Sequence, residues 1–257
     1  MEDRRNRIFD IIEQNGEISI KELETLFPEY SSMTMRRDLD FLESEGKIVK
    51  IKGGAKSITH LSRNRMFNLS EDEYGHREFI NAASKQIIAE KALSVLETDR
   101  SIFLDAGSTI MQMARKMPHE RFFIITNGIN VAMEISLNKH AIVNLVGGQI
   151  SRNNLCVSGG GALDHLKDIN IDIAVLGVSC FSPEAGFSNG EFGQCEIKRL
   201  AAKKAKKTVV LMDSTKIGRS MPYTFCNIED IDVLISELPP EELRAKIGVS
   251  LDGVTVL

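Results

Sequence analysis

Hydrophobic and polar positions fall into two textures along the chain. In the first sixty residues apolar side chains recur three and four apart: Ile8, Ile11 and Ile12, then Leu23 and Leu26, then Met35, Leu39 and Leu42. That spacing puts each set on one face of a short helix. The boundaries are marked as well. Asn15 and Gly16 stop the first helix. Ser19, with Glu22 three residues on, forms a capping box that opens the second, and Pro28 ends it. Ser31 or Ser32 caps a third helix that runs to about Glu45 and terminates at Gly46. Residues 47–51 and 55–59 then flank Gly53 and Gly54, which predicts a two-stranded hairpin with the glycines in its turn. Residues 60–76 are polar without a period and read as a linker.

From Arg77 the texture changes. A helix is expected through about Leu96, followed by the apolar strand Ser101–Leu104 and further apolar runs at 122–125, 141–146, 171–178, 208–212 and 233–235. Helical stretches at 109–117, 128–137 and 194–206 separate most of them. Short apolar strands alternating with helices predict an α/β unit whose sheet is mainly parallel and covered on both faces. The expected organisation is a helical domain with a winged hairpin over 1–59, a linker over 60–76 and an α/β domain over 77–257.

Composition narrows the class. No apolar run approaches the length of a bilayer span, and the charged N-terminus has no signal-peptide core behind it, so the cytoplasm is expected. Cys156, Cys180, Cys195 and Cys226 are scattered, and the five histidines show neither metal nor triad spacing. Reduced structural thiols are therefore expected, with no metal and no cofactor. The net charge of −4 does not announce a nucleic-acid binder, and residues 1–60 carry ten Lys/Arg against twelve Asp/Glu. The charges are sorted, however. Residues 46–59 hold Lys47, Lys50, Lys52 and Lys56 and no acid, and Arg36 and Arg37 lie just upstream. Sorting matters more than the sum when the partner is a polyanion.

Helix, helix-turn-helix and hairpin in that order make a winged helix. The third helix presents Ser32 and Thr34 at its start, and Arg36 and Arg37 reach phosphates or base edges of double-stranded DNA. Lys50 and Lys52 of the wing add backbone contacts that weaken with salt. The same pattern also fits a small helical domain with a solvated basic hairpin, or a protein-interaction module.

In open α/β sheets ligands sit beyond the carboxyl ends of the strands. Here those loops are polar and glycine-bearing. After the first strand come Asp105, Gly107, Ser108 and Thr109, leading into a helix as a phosphate site requires. Then follow Thr126, Asn127 and Gly128; Gly147, Gly148 and Gln149 with Arg152 near; Ser179; residues 186–191 with Glu196 and Lys198; and 213–216, ending in Lys216. Each has a plain reading as turn chemistry. Together they suit a polyhydroxylated, phosphorylated ligand. The lysines at 203, 204, 206 and 207 read as a solvated helix face.

Residues 34–39, Leu42, Glu43 and Gly46, and Gly53, Gly54 and Ala55 resemble the helix-turn-helix signature of the DeoR-type bacterial regulators. Arg77, Asn81, Lys85, Ile88 and Ala89, then 102–109, Thr126 and Asn127, Gly147 and Gly148, Glu196 and Lys198, and 213–216 continue the resemblance in order. It implies a winged helix-turn-helix followed by a sensor domain of the ribose-5-phosphate isomerase-like type. It implies a regulator, mostly a repressor of sugar-catabolism operons, that a sugar phosphate releases from operator DNA. Carried over by position, Ser32, Thr34, Arg36 and Arg37 face DNA. Asp105, Gly107, Ser108, Thr109, Asn127, Gly147, Gly148, Lys198 and Lys216 line the effector pocket. One winged helix reads a short site, so a homo-oligomer is expected.

The natural rival is a sugar-phosphate isomerase with a fused helical domain, and the remaining alternative is a protein scaffold. The isomerase needs a carboxylate pair in a Gly-Ala-Asp-Glu segment after a central strand to move protons between carbons. The matching segment here, Gly177 to Cys180, has no carboxylate. The expectation is binding without turnover.

Overall fold

The computed structural model describes residues 2–57 and 74–257, and the chain divides into two units, Met1–Asn68 and Leu69–Leu257. Most of the expected linker, and the last two residues of the expected hairpin, lie outside the described residues.

The first unit contains α1 (Glu2–Asn15), β1 (Glu17–Ser19), α2 (Ile20–Leu26), α3 (Ser32–Ser44), β2 (Ile48–Ile51) and β3 (Gly54–Ser57). The side chains predicted for the buried faces form its core: Ile8, Ile12, Leu23, Met35, Leu39 and Leu42, joined by Ile18, Phe27, Ile48 and Ala55. The Ser19–Glu22 capping box forms as expected. Two features differ from the sequence reading. Leu26, assigned to the apolar face of α2, is exposed. The hairpin also supplies only two strands of a three-stranded antiparallel sheet in the order β1-β3-β2. Only Gly53 serves the turn, at φ +90°. Gly54 lies in β3, where a Cβ would stand 2.1 Å from the carbonyl oxygen of Ile18 on β1. The second glycine therefore admits a third strand.

Asp38, 1% exposed, is a charge placed inside this small core. Arg4 Nε donates to its Oδ2 at 2.5 Å and Arg5 Nε to its Oδ1 at 2.9 Å, so the carboxylate clips α3 to α1. Each guanidinium is backed by a ring, Arg4 over Tyr30 at 4.2 Å and Arg5 over Phe41 at 3.9 Å. Burial works against the charged form of Asp38. The hydrogen bonds and charges of the two arginines outweigh it and hold the carboxyl below its usual range.

The second unit is a seven-stranded sheet, all of its pairings parallel, in the order β15-β14-β12-β9-β4-β5-β6. Its strands are β4 (Ser101–Leu104), β5 (Phe123–Thr126), β6 (Ile142–Leu145), β9 (Ile171–Gly177), β12 (Ala205–Leu211), β14 (Val233–Ile235) and β15 (Thr255–Val256). Six of the seven coincide with the predicted apolar runs. β15 is two residues long and too short to carry a pattern. Side chains alternate between two cores, as a doubly covered sheet demands. Ile102, Leu104, Ile124, Val175 and Val209 pack with α5 (Ala82–Leu93), α6 (Ser108–Ala114) and α7 (Ile129–Ile135). Phe103, Ile125, Leu176 and Val210 pack with α8 (Gly160–Lys167), α9 (Phe192–Lys204) and α10 (Pro240–Ile247).

Smaller antiparallel pieces decorate this frame. β7 (Gln149–Ser151) pairs with β8 (Cys156–Ser158), and β10 (Cys180–Ser182), β11 (Gly186–Asn189) and β13 (Tyr223–Cys226) form a sheet. Residues 186–189 are thus strand rather than loop. Phe187 is the reason: it is buried with its ring 4.8 Å from that of Phe181. The helix expected from Arg77 to Leu96 is broken. α4 (Tyr74–Phe79) starts inside the expected linker, and Asn81 separates it from α5 by adopting the left-handed conformation, φ 53° and ψ 37°. The four cysteines are buried, and none is in a disulfide.

The Asp38 clip generates a stability prediction. Asp38→Ala in the full chain removes a buried partner of two arginines and is expected to cost about 2 kcal/mol in the unit that contains it, less than a fully buried pair because the arginines are partly hydrated. Asp40→Ala, which removes only an exposed partner of Lys50, is expected to cost under about 0.5 kcal/mol. Because the Asp38 carboxyl is lowered on folding, its contribution is full above the ordinary carboxylate range and is lost as pH falls through the lowered value. Denaturant unfolding of both variants at neutral and acidic pH checks this, and the gap between them closes in acid.

Candidate functional site

The DNA-facing candidates sit on α3 and the wing. Ser31, not Ser32, is the N-cap: its Oγ accepts from the Thr34 N–H at 3.3 Å and lies 3.1 Å from Thr34 Oγ1. Thr34 is therefore part of the cap. Ser32 is partly exposed at the helix start. Arg36 and Arg37 are exposed, one turn from the helix start and off the buried stripe, and neither forms an ion pair among the described residues. The wing lysines are more occupied than their sequence implies. Lys50 pairs with Asp40 and Lys56 with Glu17. Lys52 is exposed beside Gly53, without an ion pair among the described residues.

The pocket candidates lie in the second unit. Parallel pairing brings the carboxyl ends of β4, β5, β6, β9 and β12 to one edge of the sheet, and with them residues 105–109, Asn127, Gly147 and Gly148, Gly177 and 213–216. These loops are bonded to one another. Asp105, fully buried at the end of β4, accepts the Gly177 N–H from β9 at 3.0 Å through Oδ2. The same oxygen accepts from Lys198 Nζ of α9, which also donates to the Gly177 carbonyl at 2.7 Å. Asn127 Oδ1 accepts the Ala106 N–H at 3.0 Å, and its own carbonyl accepts from the Val157 N–H at 2.8 Å. Burial pushes the Asp105 carboxyl above the usual range, against the pull of the Lys198 charge and the N–H groups around it. Asp105 Oδ1 is buried without a hydrogen-bond partner among the described residues.

Three of the nine pocket candidates are therefore struts. Asp105, Asn127 and Lys198 are at most 1% exposed and satisfy one another's loops. Lys198 differs most from its expected place: a lysine assigned to the lining of the effector pocket is sealed between a carboxylate, a carbonyl and the face of Phe225, its Nζ 5.1 Å from the ring centroid. The others reach the edge. Gly107, at φ +145°, turns the chain into α6, whose first residues are Ser108 and Thr109. Gly148, at φ +153°, also lies where a Cβ would meet the Ser158 carbonyl at 2.6 Å. Gly147 and Gly148 are exposed. Lys216 closes a single 3-10 turn, Ser214–Lys216, and its ammonium has no hydrogen-bond or ion-pair partner among the described residues. Asp213 caps that turn by accepting from the Thr215 N–H at 3.2 Å.

The sequence reading missed one contributor to this edge and named another, Glu191, only as part of a loop. Gly159, at φ +91°, leads into α8 without a side-chain cap, and a Cβ on Gly161 would lie 3.8 Å from the Gly147 carbonyl oxygen. Three successive glycines ahead of the apolar Ala162 and Leu166 were the available signal. Glu191 gathers Ser151, Asn154 and Gln194, Asn154 at 2.8 Å, and this network joins the β7–β8 turn to α9. Among the described residues no group of His, Cys, Asp or Glu could hold a metal ion, and no helix is long and apolar enough to cross a membrane.

Comparison with known proteins assigns both units. Residues 4–60 match the DeoR-like helix-turn-helix domain, and residues 80–237 match the DeoR C-terminal sensor domain. The HTH-type transcriptional regulator GolR of Listeria innocua is 30% identical over 236 residues, 91% of this chain and 90% of that one. The HTH-type transcriptional regulator GlpR of Haloferax volcanii is 31% identical over 256 residues, 99% of this chain and 96% of its own. The glycerol-3-phosphate regulon repressor of Escherichia coli is 25% identical over 238 residues, 92% of this chain and 91% of its own. Among solved structures, ribose 5-phosphate isomerase A of Methanocaldococcus jannaschii gives a TM-score of 0.39 at 19% identity, over 53% of this chain and 54% of that one. With a DeoR-type helix-turn-helix in its first unit and a DeoR sensor domain filling most of its second, the chain belongs to the DeoR family of transcriptional regulators.

Proposed function

We propose that this regulator represses a sugar-metabolism operon in the cytoplasm, binding its operator as a homo-oligomer through α3 and the wing, and that a phosphorylated sugar at the carboxyl edge of the sheet releases it. The observation that carries the ligand half of this reading is the division of labour at that edge. The groups suited to a phosphate lie on that edge: Gly107 and Thr109, partly exposed, flank the buried Ser108 at the start of α6, and Lys216, partly exposed, has no ion-pair or hydrogen-bond partner among the described residues. The carboxylate at the same edge, Asp105, is sealed against Lys198 and Gly177. A proton-shuttling isomerase needs carboxylates that reach the substrate carbons. Here Asp105 is engaged in holding two strands, Asp213 in capping its own turn and Glu191 in binding Ser151, Asn154 and Gln194, which favours binding without turnover.

The DNA half rests on Arg36 and Arg37, which α3 exposes without ion pairs. Lys52 adds backbone attraction, while Lys50 and Lys56 spend part of their charge on Asp40 and Glu17. Ser32 and Thr34 contribute mainly by setting the start of the helix against the groove.

Two outcomes are expected. In fluorescence anisotropy on the DNA upstream of its own gene, Arg36→Ala and Arg37→Ala each weaken binding by about 1–3 kcal/mol, and Lys52→Ala lowers the salt slope by about one unit with little change in sequence preference. Unchanged affinity in both arginine variants would overturn the assignment of α3. In a thermal-shift panel of sugar phosphates, a ligand raises the melting temperature by mass action. Lys216→Ala keeps the unliganded melting temperature and loses that rise. Lys198→Ala instead lowers the unliganded melting temperature, because it leaves Asp105 buried with its charge uncompensated. A Lys216→Ala protein that still responds fully excludes the proposed pocket.

A further inference from the structure

α4 is the first described element of the sensor unit. Both of its ends are tied to the loops of the carboxyl edge. At its start the Tyr74 N–H donates to the Asn153 carbonyl at 2.7 Å, and Arg77 Nη2 donates to Asn154 Oδ1 at 2.6 Å. Asn154 in turn donates to Glu191 at 2.8 Å. At its end, Asn81 Nδ2 donates to Asp213 Oδ1 at 3.1 Å and to Thr215 Oγ1 at 2.9 Å. Those acceptors belong to the turn that carries Lys216.

Asn81 thus does two things with one residue. Its left-handed backbone ends α4 and starts α5, and its side-chain amide grips the 213–216 turn from 132 residues away in sequence. The conformation alone does not need asparagine, since glycine takes φ +53° with less strain. What glycine lacks is the amide. Asp213 meanwhile shares one oxygen between Asn81 and the cap of its own turn, receiving the Thr215 N–H and hydroxyl. Any change in that turn therefore alters the acceptors available to Asn81.

Building on the pocket reading above, we propose that Asn81 is a positioning residue that couples ligand occupancy at Lys216 to α4. A phosphorylated ligand that engages the Lys216 ammonium draws the 213–216 turn with it. The Asn81 amide then transfers that displacement to the α4–α5 break, and with it to the first described helix of the sensor unit. The ligand's differential affinity for the two arrangements of the turn supplies the driving force.

Hydrogen–deuterium exchange of the full-length chain tests this, with ribose 5-phosphate, fructose 1-phosphate and glycerol 3-phosphate as probes. Asn81→Gly keeps the backbone conformation and removes the amide. Thr215→Val, at an exposed position, removes one acceptor and guards against an Asn81 variant that folds poorly. The expected result is that a probe which protects residues 105–109 and 213–216 also changes exchange at 75–80 by about fivefold in the parent chain. In Asn81→Gly the loop protection persists and the change at 75–80 disappears, and in Thr215→Val it shrinks. If the loops respond while 75–80 does not, or if 75–80 responds equally in both variants, the coupling role is wrong and the pocket stands. If no probe protects the loops, the pocket reading falls and the coupling falls with it.

Discussion

A carboxylate and an ammonium buried together, Asp105 and Lys198, hold the sensor unit's site in shape. Neither charge is tolerable alone in that position, because the desolvation of a single buried ion costs several kcal/mol. Their pairing is therefore a constraint on three elements at once. Asp105 comes from the end of β4, Lys198 from the middle of α9, and both bond the backbone of Gly177 at the end of β9. The two central strands and the helix above them can meet in few other ways without stranding a charge. The loops at the carboxyl ends of these strands inherit their positions from this junction, with Asn127 extending it to β5 through the Ala106 N–H.

The DNA-binding unit solves a similar problem with a smaller core. Ten buried apolar side chains gather around α1, α2 and α3, and Asp38 fixes the third helix to the first through Arg4 and Arg5. These arginines are consumed in structure, whereas Arg36 and Arg37 on the same helix as Asp38 are left to the solvent. Of the basic residues in this unit, those without an internal carboxylate partner have the most charge to offer a phosphate backbone. The acidic balance of the unit is consistent with this, since several of its acids neutralise its own bases.

How much of the site was legible follows from the range of the interactions involved. The turns at Gly107, Gly148 and Lys216 and the helix start at Ser108 and Thr109 were readable as local structure, because strand, turn and helix start follow one another within a few residues. The role of Lys198 was not. A lysine on a helix looks the same in sequence whether it meets a phosphate or a buried aspartate 93 residues away. Asn81 was readable only as part of a family pattern, and local periodicity favoured a continuous helix through it. The bonds to Asp213 and Thr215 decide otherwise. The strand at 186–189 was mistaken for a loop because its polar residues outnumber Phe187, and the ring contacts that bury it come from β10 and β13.

By itself the sequence determined the helices and wing of the first unit, six of the seven parallel strands of the second, and which polar loops follow those strands. These rest on periodicity, capping and turn chemistry, which act over a handful of residues. Only the tertiary structure decided which polar groups at the carboxyl edge of the sheet face outward and which are sealed beneath it. That choice turns on burial. A charge or amide becomes a strut when partners distant in the chain surround it, and no local pattern records their approach.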